Sequence, residues 1–281
     1  MIIHLNHEDV LDILPDRSAV SHKGDYGKIL LLCGSVGYTG AAALAAMGAL
    51  RTGAGLVYTA VPESIYVIEA IKLTEAIVLP LPDQDGAFCT QSLNGIEKLL
   101  VDKDAVLIGP GIGRTEGAQK VTEYVLENYA GPVILDADGI YAASLHKDLL
   151  RGRAAPTVIT PHEGEFCRLT GCEISDRVED AITFSKQYGV ITVLKGHNTV
   201  ITDGTTVYIN DSGNPGMAVG GSGDVLAGVI TALIGQKIDP LTAGACGAWL
   251  HGAAGDLCAQ KLGQYGMLPT DMLEELPRLM K

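Results

Sequence analysis

The chain has 281 residues, enough for one large α/β domain or two of about 150, and its 47% hydrophobic and 19% charged content excludes intrinsic disorder. Twenty Lys and Arg against 33 Asp and Glu leave a net charge of -13, the wrong sign for displacing counterions from a nucleic acid, and three Phe, one Trp and ten Tyr offer few platforms for stacking bases. Glycine, at 35 residues, stands well above the ordinary share of roughly 7% and points to tight turns and close backbone approaches.

The N-terminus, MIIHLNHEDVLDILP, shows no basic segment followed by an apolar run. No signal peptide is expected, hence a cytoplasmic location and free thiols for Cys33, Cys89, Cys167, Cys172, Cys246 and Cys258. No C-x-x-C pair occurs among them, which argues against a structural zinc site. The uncharged stretch Ile29 to Leu50 is long enough to raise a membrane helix, but Gly34, Ser35, Gly37, Tyr38, Thr39 and Gly40 interrupt it. A strand, a glycine loop and a small-residue helix account for it better, and no membrane partner is expected.

Seven short apolar runs read as strands: Ile29–Cys33, Leu56–Val61, Ala76–Leu79, Ala105–Ile108, Val133–Leu135, Val158–Thr160 and Ile191–Leu194. Most are apolar throughout, as strands covered on both faces are. Helices are expected over Glu116–Tyr129 and over Val178–Tyr188, the latter following Asp176 as N-cap with Glu179 three residues on. This alternation predicts a parallel sheet between helix layers. Further on, Thr199–Thr202 and Thr206–Ile209 flank Asp203-Gly204-Thr205 as a hairpin. Helices then run from Asp224 to Ile234, and from Asp239-Pro240 to about Lys261. With no linker, low-complexity tract or internal repeat, residues 1–281 read as a single domain.

In open parallel sheets ligands bind at the carboxyl ends of strands. The segments following the predicted strands are Gly34–Ala42, Gly109–Gly113, Asp136–Gly139, Pro161–Glu165 and Lys195–Thr199. They gather polar and glycine residues on one expected edge. The sharpest segment is Gly213–Asp224, ahead of an apolar helix. Its glycines allow close backbone approach, and the first N–H groups of a helix have no intrahelical partner. Gly220, Gly221, Ser222 and Gly223 therefore read as an anion hole for a transferring phosphoryl group, with Asp224 placed to take a proton from an attacking hydroxyl. The plainer reading makes Asp224 an N-cap and the glycines a turn. Neither a Walker loop nor a G-x-G-x-x-G fingerprint is present.

The Gly220–Asp224 loop and its helix resemble the anion hole and catalytic aspartate of ribokinase-like enzymes. Within these the chain resembles the ADP/ATP-dependent NAD(P)H-hydrate dehydratases. The resemblance rests on Ser21–Lys28, Gly40-Ala41-Ala42, Leu50–Val57, Gly109-Pro110-Gly111, Thr160–Glu165, Lys195-Gly196 and Gly213–Asp224, in the family's order and across nearly the whole chain. It implies a three-layer α/β/α sandwich with a mostly parallel central sheet. It implies a hydro-lyase that phosphorylates the ring hydroxyl of hydrated NADH or NADPH from ADP or ATP, then eliminates phosphate. By position, Ala42 (or its neighbour Ala41), Gly111, His162 and Asp224 would contact the hydrated cofactor. Lys195, Gly196, His197, Asn198, Thr199 and Gly223 would contact the nucleotide. Glu165 aligns with a glutamate that organises magnesium in related kinases, usually through water, and His162 replaces their asparagine. Ser222 stands where threonine is more usual. A homotetramer is also implied, and the chain has no room for the epimerase domain fused to some relatives.

Plainer readings stand beside these. His162 could start a helix after Pro161, and Glu163 and Glu165 could simply suit a helix dipole. Lys195 could be a surface lysine, and Asp136 and Asp138 could bind magnesium-held water or cap a turn. His251 reads as a hydrogen-bonded core residue, while a nucleophilic Cys33 would need a base that the sequence does not supply. The rival functions are a kinase for a thiazole, pyrimidine or sugar alcohol, and a nucleotide sensor without turnover.

Overall fold

The computed structural model describes residues 2–281. Its strands in chain order are β1 (Ile2–Ile3), β2 (Lys28–Leu32), β3 (Leu56–Pro62), β4 (Ile77–Leu81), β5 (Asp83–Gln84), β6 (Ala87–Phe88), β7 (Ala105–Ile108), β8 (Val133–Leu135), β9 (Thr157–Ile159), β10 (Ile191–Leu194), β11 (Thr199–Thr202) and β12 (Val207–Asn210). The helices are α1 (His7–Ile13), α2 (Thr39–Arg51), α3 (Tyr66–Lys72), α4 (Leu93–Leu100), α5 (Glu116–Asn128), α6 (Asp138–Leu145), α7 (Glu163–Thr170), α8 (Arg177–Tyr188), α9 (Ser222–Gly235), α10 (Pro240–Leu262) and α11 (Pro269–Leu279). No helix among the described residues is long and apolar enough to cross a membrane.

Ten strands form one sheet in the order β1-β12-β11-β10-β9-β8-β7-β2-β3-β4. Pairing is parallel except where β11 meets β10 and β12. The strands alternate their side chains between two cores. Ile29, Leu31, Leu107 and Ile134 enter one, packed with α2, α9, α10 and α11. Leu30, Leu32, Val106, Ile108, Val133 and Leu135 enter the other, beneath α4, α5, α7 and α8. Covering both faces explains why these strands read as continuous apolar runs. The architecture is the expected three-layer α/β/α sandwich.

The tightest helix contact is between α2 and α9. A Cβ at Gly228 would fall 2.0 Å from the Ala45 carbonyl oxygen, and one at Gly48 would fall 2.7 Å from that of Val225. Small residues here let two backbones approach and seat α9 under the end of the sheet.

The nine expected strands have boundaries within two residues of the sequence expectation, while the two-residue strands β1, β5 and β6 were not expected, being too short to leave an apolar run. Two details differ. Helix α9 begins at Ser222, not Asp224, because Gly221 takes the N-cap position in the left-handed region (φ 98°) that a glycine reaches freely. At α8, Asp176 does accept from the N–H groups of Val178 and Glu179. The reciprocal acceptor for the incoming backbone is Asp180 rather than Glu179, bonding the N–H groups of Ser175 (2.8 Å) and Asp176 (3.1 Å).

Candidate functional site

The order of connection reverses between β2 and β7: β2, β3 and β4 step one way, and β7, β8, β9 and β10 the other. The loops leaving β2 and β7 meet at this switch point, where a crevice is expected. Gly34 N donates to Pro110 O (2.8 Å), and Ser35 Oγ donates to Gly111 O (2.7 Å). Gly111 has φ 66°, and a Cβ there would fall 2.8 Å from Tyr38 Cβ and 2.9 Å from Ala41 Cβ. Asp138 holds the far side of the crevice, accepting from Gly113 N and Arg114 Nε at 3.0 Å each.

Next to it lies a cavity of about 940 Å³ at the ends of β8, β9, β10 and β12 and the start of α9. Asp136, His162, Lys195, Gly196, His197, Asn198, Thr199, Gly220, Ser222, Gly223, Asp224 and His251 line it. Of the segments expected at one edge, Asp136–Gly139, Pro161–Glu165 and Lys195–Thr199 contribute residues to this cavity, while Gly34–Ala42 and Gly109–Gly113 meet at the crevice beside it. The isolated parallel bridge between His162 and Lys195 extends the β9–β10 ladder past its end and carries both side chains to the rim.

Helix α9 starts without a side-chain cap. Among the described residues, the N–H groups of Gly220, Gly221, Gly223 and Asp224 have no backbone or side-chain acceptor. Ser222 departs from the expected anion hole, since its N–H is taken by Val219 O at 3.3 Å. Asp224 is the third residue of the helix and not its cap, so its carboxyl is left for the cavity. A Cβ at Gly223 would stand 3.2 Å from Lys195 Nζ, which puts the ammonium over the open amides.

Lys195 is not a surface lysine. Its Nζ donates to Asp136 Oδ1 (2.8 Å), which also accepts from Thr160 Oγ1 (2.6 Å), and Glu165 Oε2 lies 4.0 Å away. Burial alone would lower its pKa, but Asp136, Glu165 and Asp224 together hold it above the ordinary value. Asp224 is raised to about 7, first by burial and next by the charge of Asp136, with Lys195 opposing and Asp138 and Glu165 adding. A carboxyl with that value can exchange protons near neutral pH.

His162 does start a helix. Its Nδ1 accepts from Gly164 N (3.0 Å) and Glu165 N (3.3 Å), while Glu165 Oε2 accepts from His162 N (2.9 Å). This is a capping box with histidine at the cap. An accepting Nδ1 places a ring proton on Nε2, which faces Glu165 Oε1 at 3.4 Å. Glu165 is thus already engaged by His162 and Lys195.

Ala42 is corrected. It is fully buried in the core against α9 and offers no surface, whereas Ala41 packs beside Gly111 at the crevice. Cys33 is also buried, and burial, with Asp224 and Asp136 beyond it, pushes its thiol well above the ordinary value. That is the opposite of an activated nucleophile. The matching segments Ser21–Lys28 and Leu50–Val57 lie at the opposite end of the sheet, where β2 and β3 begin, and Gly55 N bonds Tyr26 O at 2.9 Å.

Asp256 and Arg177 were not singled out from the sequence, whereas His251 was expected as a hydrogen-bonded core residue and is one. His251 on α10 is buried in the cavity wall with Nε2 3.3 Å from Ser222 Oγ, and burial lowers its pKa to about 4. Asp256 accepts from Gly213 N (2.9 Å) and Asn214 Nδ2 (3.0 Å), tying the loop before α9 to α10. Arg177 grips the loop Lys195–Thr199 from behind. Each joins positions far apart in the chain, and no local pattern marks them.

For a divalent cation, the excess of carboxylates around Asp224 is a fitting environment, since hard cations take oxygen ligands. Among the described residues, however, no three His, Cys, Asp or Glu side chains converge tightly enough to chelate one directly. A cation held through water suits this geometry.

The model of the NAD(P)H-hydrate dehydratase family matches residues 29–278. The bifunctional NAD(P)H-hydrate repair enzyme of Moorella thermoacetica is 42% identical over 275 residues, covering 95% of this chain and 52% of that one. The chain thus spans about half the length of the curated relatives it matches. The crystal structure of ADP/ATP-dependent NAD(P)H-hydrate dehydratase from Bacillus subtilis, co-crystallised with ATP/Mg2+, superposes with a TM-score of 0.80 at 34% identity, covering 98% and 96% of the two chains. A ribokinase-like superfamily protein from Enterococcus faecalis superposes with a TM-score of 0.87 at 28% identity, covering 99% and 95%.

Proposed function

The chain belongs to the NAD(P)H-hydrate dehydratase family, and from that membership we propose that it is a hydro-lyase restoring NADH and NADPH from their hydrates at the expense of ADP or ATP. The observation that carries this is the placement of Asp224. It stands inside an uncapped glycine-led helix start, in the wall shared by the Lys195–Thr199 loop and within the charge field of Asp136 and Asp138.

In this reading the nucleotide occupies the cavity against Lys195, Gly196, His197, Asn198, Thr199 and Gly223. The hydrated ring enters by the switch-point crevice, between Ala41, Gly111 and His162. Asp224 removes the proton from the ring hydroxyl, whose oxygen attacks the terminal phosphorus as the bond to the departing AMP or ADP breaks. The amides of Gly220, Gly221 and Gly223 take up charge on the transferring group, and Lys195 adds its ammonium. Phosphate then leaves with the C–O electron pair, pushed by the ring nitrogen. Loss of a proton from the adjacent carbon restores the dihydronicotinamide. Phosphate is a far better leaving group than hydroxide, so the nucleotide drives a dehydration that the cavity need not force by acid alone.

Magnesium supplies charge neutralisation at the phosphates when bound. Asp136, Glu165 and Asp224 are the residues that would hold it, through water. The ten-stranded sheet, drawing strands from residue 2 to residue 210, supports one domain over residues 1–281 as the working unit. A cytoplasmic homotetramer completes the reading. Exposed Val67, Ile68 and Ile71 on α3, beside Ile77 on the edge strand β4, support self-association.

The test is to incubate the protein with hydrated NADH, magnesium and either nucleotide, following near-ultraviolet absorbance and phosphate. Equimolar recovery of NADH and phosphate is expected, with Asp224→Asn inactive but still binding nucleotide. A stable phosphorylated alcohol would instead identify a kinase, and nucleotide binding without turnover a sensor.

A further inference from the structure

The loop Lys195–Thr199 has little to hold its shape. Lys195 N donates to Pro161 O (2.8 Å), and Thr199 Oγ1 bonds both the O and the N of Gly196 at 3.0 and 3.3 Å. Between these, Gly196 (φ 151°) and Asn198 (φ 55°) take left-handed backbone. Behind the loop stands Arg177, the first residue of α8. Its Nη1 donates to His197 O and its Nη2 to Leu194 O (2.9 Å), while Nε faces Glu163 Oε1 at 3.5 Å. A Cβ on Gly196 would fall 2.8 to 3.1 Å from the guanidinium atoms, so the planar group lies flat against a residue that must lack a side chain.

From this geometry we infer that Arg177 is the positioning residue of the nucleotide loop, acting through two backbone carbonyls and not through the nucleotide. The planarity of the peptide gives the reason. With the His197 carbonyl turned onto the guanidinium, the N–H of Asn198, in the same peptide, points the opposite way. That N–H has no acceptor among the described residues, and both His197 and Asn198 line the cavity. The arginine thereby presents a free main-chain donor to the anionic or basic acceptors of a nucleotide. A lysine cannot replace it, because one ammonium cannot span two carbonyls in the fixed fork of a guanidinium.

The inference rests on the proposed nucleotide site, and titration of the full-length protein with ADP and with ATP tests the two separately. If the unaltered protein binds neither, the functional reading itself fails. If it binds, Arg177→Met should weaken ADP tenfold or more and leave the affinity for hydrated NADH within twofold. Added guanidinium ion should recover part of the loss, and Arg177→Lys should recover little. Gly196→Ala, which displaces the guanidinium without removing it, should weaken ADP as Arg177→Met does and serves where the latter does not fold. Unchanged ADP affinity in both variants, or equal weakening of both ligands, overturns the assignment.

Discussion

Lys195 Nζ donates to Asp136 Oδ1 at 2.8 Å, so the ammonium within the cavity is partnered by the aspartate that ends β8 and not by Asp224. Asp224 is left half-buried among like charges and rises to about 7. As the proton acceptor it must be ionised, so kcat/KM should climb with pH to a plateau, with an acidic limb centred near 7. In Asp136→Asn the repelling charge is gone and Lys195 is released toward Asp224. Both changes favour the ionised form, so the limb should move down by about one pH unit or more. A pH–rate profile of the two proteins decides it; an unmoved limb would mean that another group sets the limb.

The same carboxyl makes the site unfavourable for folding at neutral pH. Between its ordinary value of 3.8 and about 7 the folded chain holds a proton that the unfolded chain has released. Stability therefore falls as pH rises through that window. Asp224→Asn should be more stable than the unaltered protein at pH 8 by roughly 2–4 kcal/mol, and the gain should vanish toward pH 4. Turnover should fall by about a thousandfold or more in the same variant. Urea unfolding at several pH values, beside activity, gives both quantities.

His251 has the opposite sign. Burial holds it at about 4 against an ordinary 6.5, so between these values the unfolded chain binds the extra proton. Its contribution is complete above pH 6.5 and is lost as pH falls to about 4. His251→Gln keeps a partner for Ser222 but does not titrate. The stability difference between the unaltered protein and this variant should therefore grow with pH across that window, by up to roughly 3 kcal/mol. A difference independent of pH would show that His251 is not held neutral.

The sheet was legible in the sequence because strands covered on both faces leave uninterrupted apolar runs, ended by glycine, proline or charge. The caps at Asp176 and Asp239 were legible because a cap is a local contact. Even the capping box of His162 and Glu165 had a signal in its three-residue spacing, although the histidine disguised it. What the sequence hid are contacts made by topology. Lys195 reaches Asp136 across 59 positions, His251 reaches Ser222 across 29, and Asp256 reaches Gly213 across 43. Whether Ala41 or Ala42 faces the crevice was not legible for a related reason: in a helix start, one residue turns the side chain by about 100°, from crevice to core.

The position of α9 depends on its contact with α2, and that contact tolerates no added methyl group. A Cβ at Gly228 would overlap the Ala45 carbonyl oxygen at 2.0 Å, a backbone atom that cannot rotate aside. Gly228→Ala should therefore cost about 2 kcal/mol or more in unfolding free energy, despite the better helix propensity of alanine. Since α9 carries the open amides and Asp224 at its start, a shift that relieves the overlap also moves the reacting groups, and kcat should drop with a smaller change in KM. Gly220→Ala is the contrast, because nothing lies within 4 Å of the added methyl and φ there is not left-handed. Its unfolding free energy should stay within about 0.5 kcal/mol of the unaltered protein. Parallel denaturant unfolding of the two variants checks the pair: equal stabilities would show that α2 and α9 are not in contact as described.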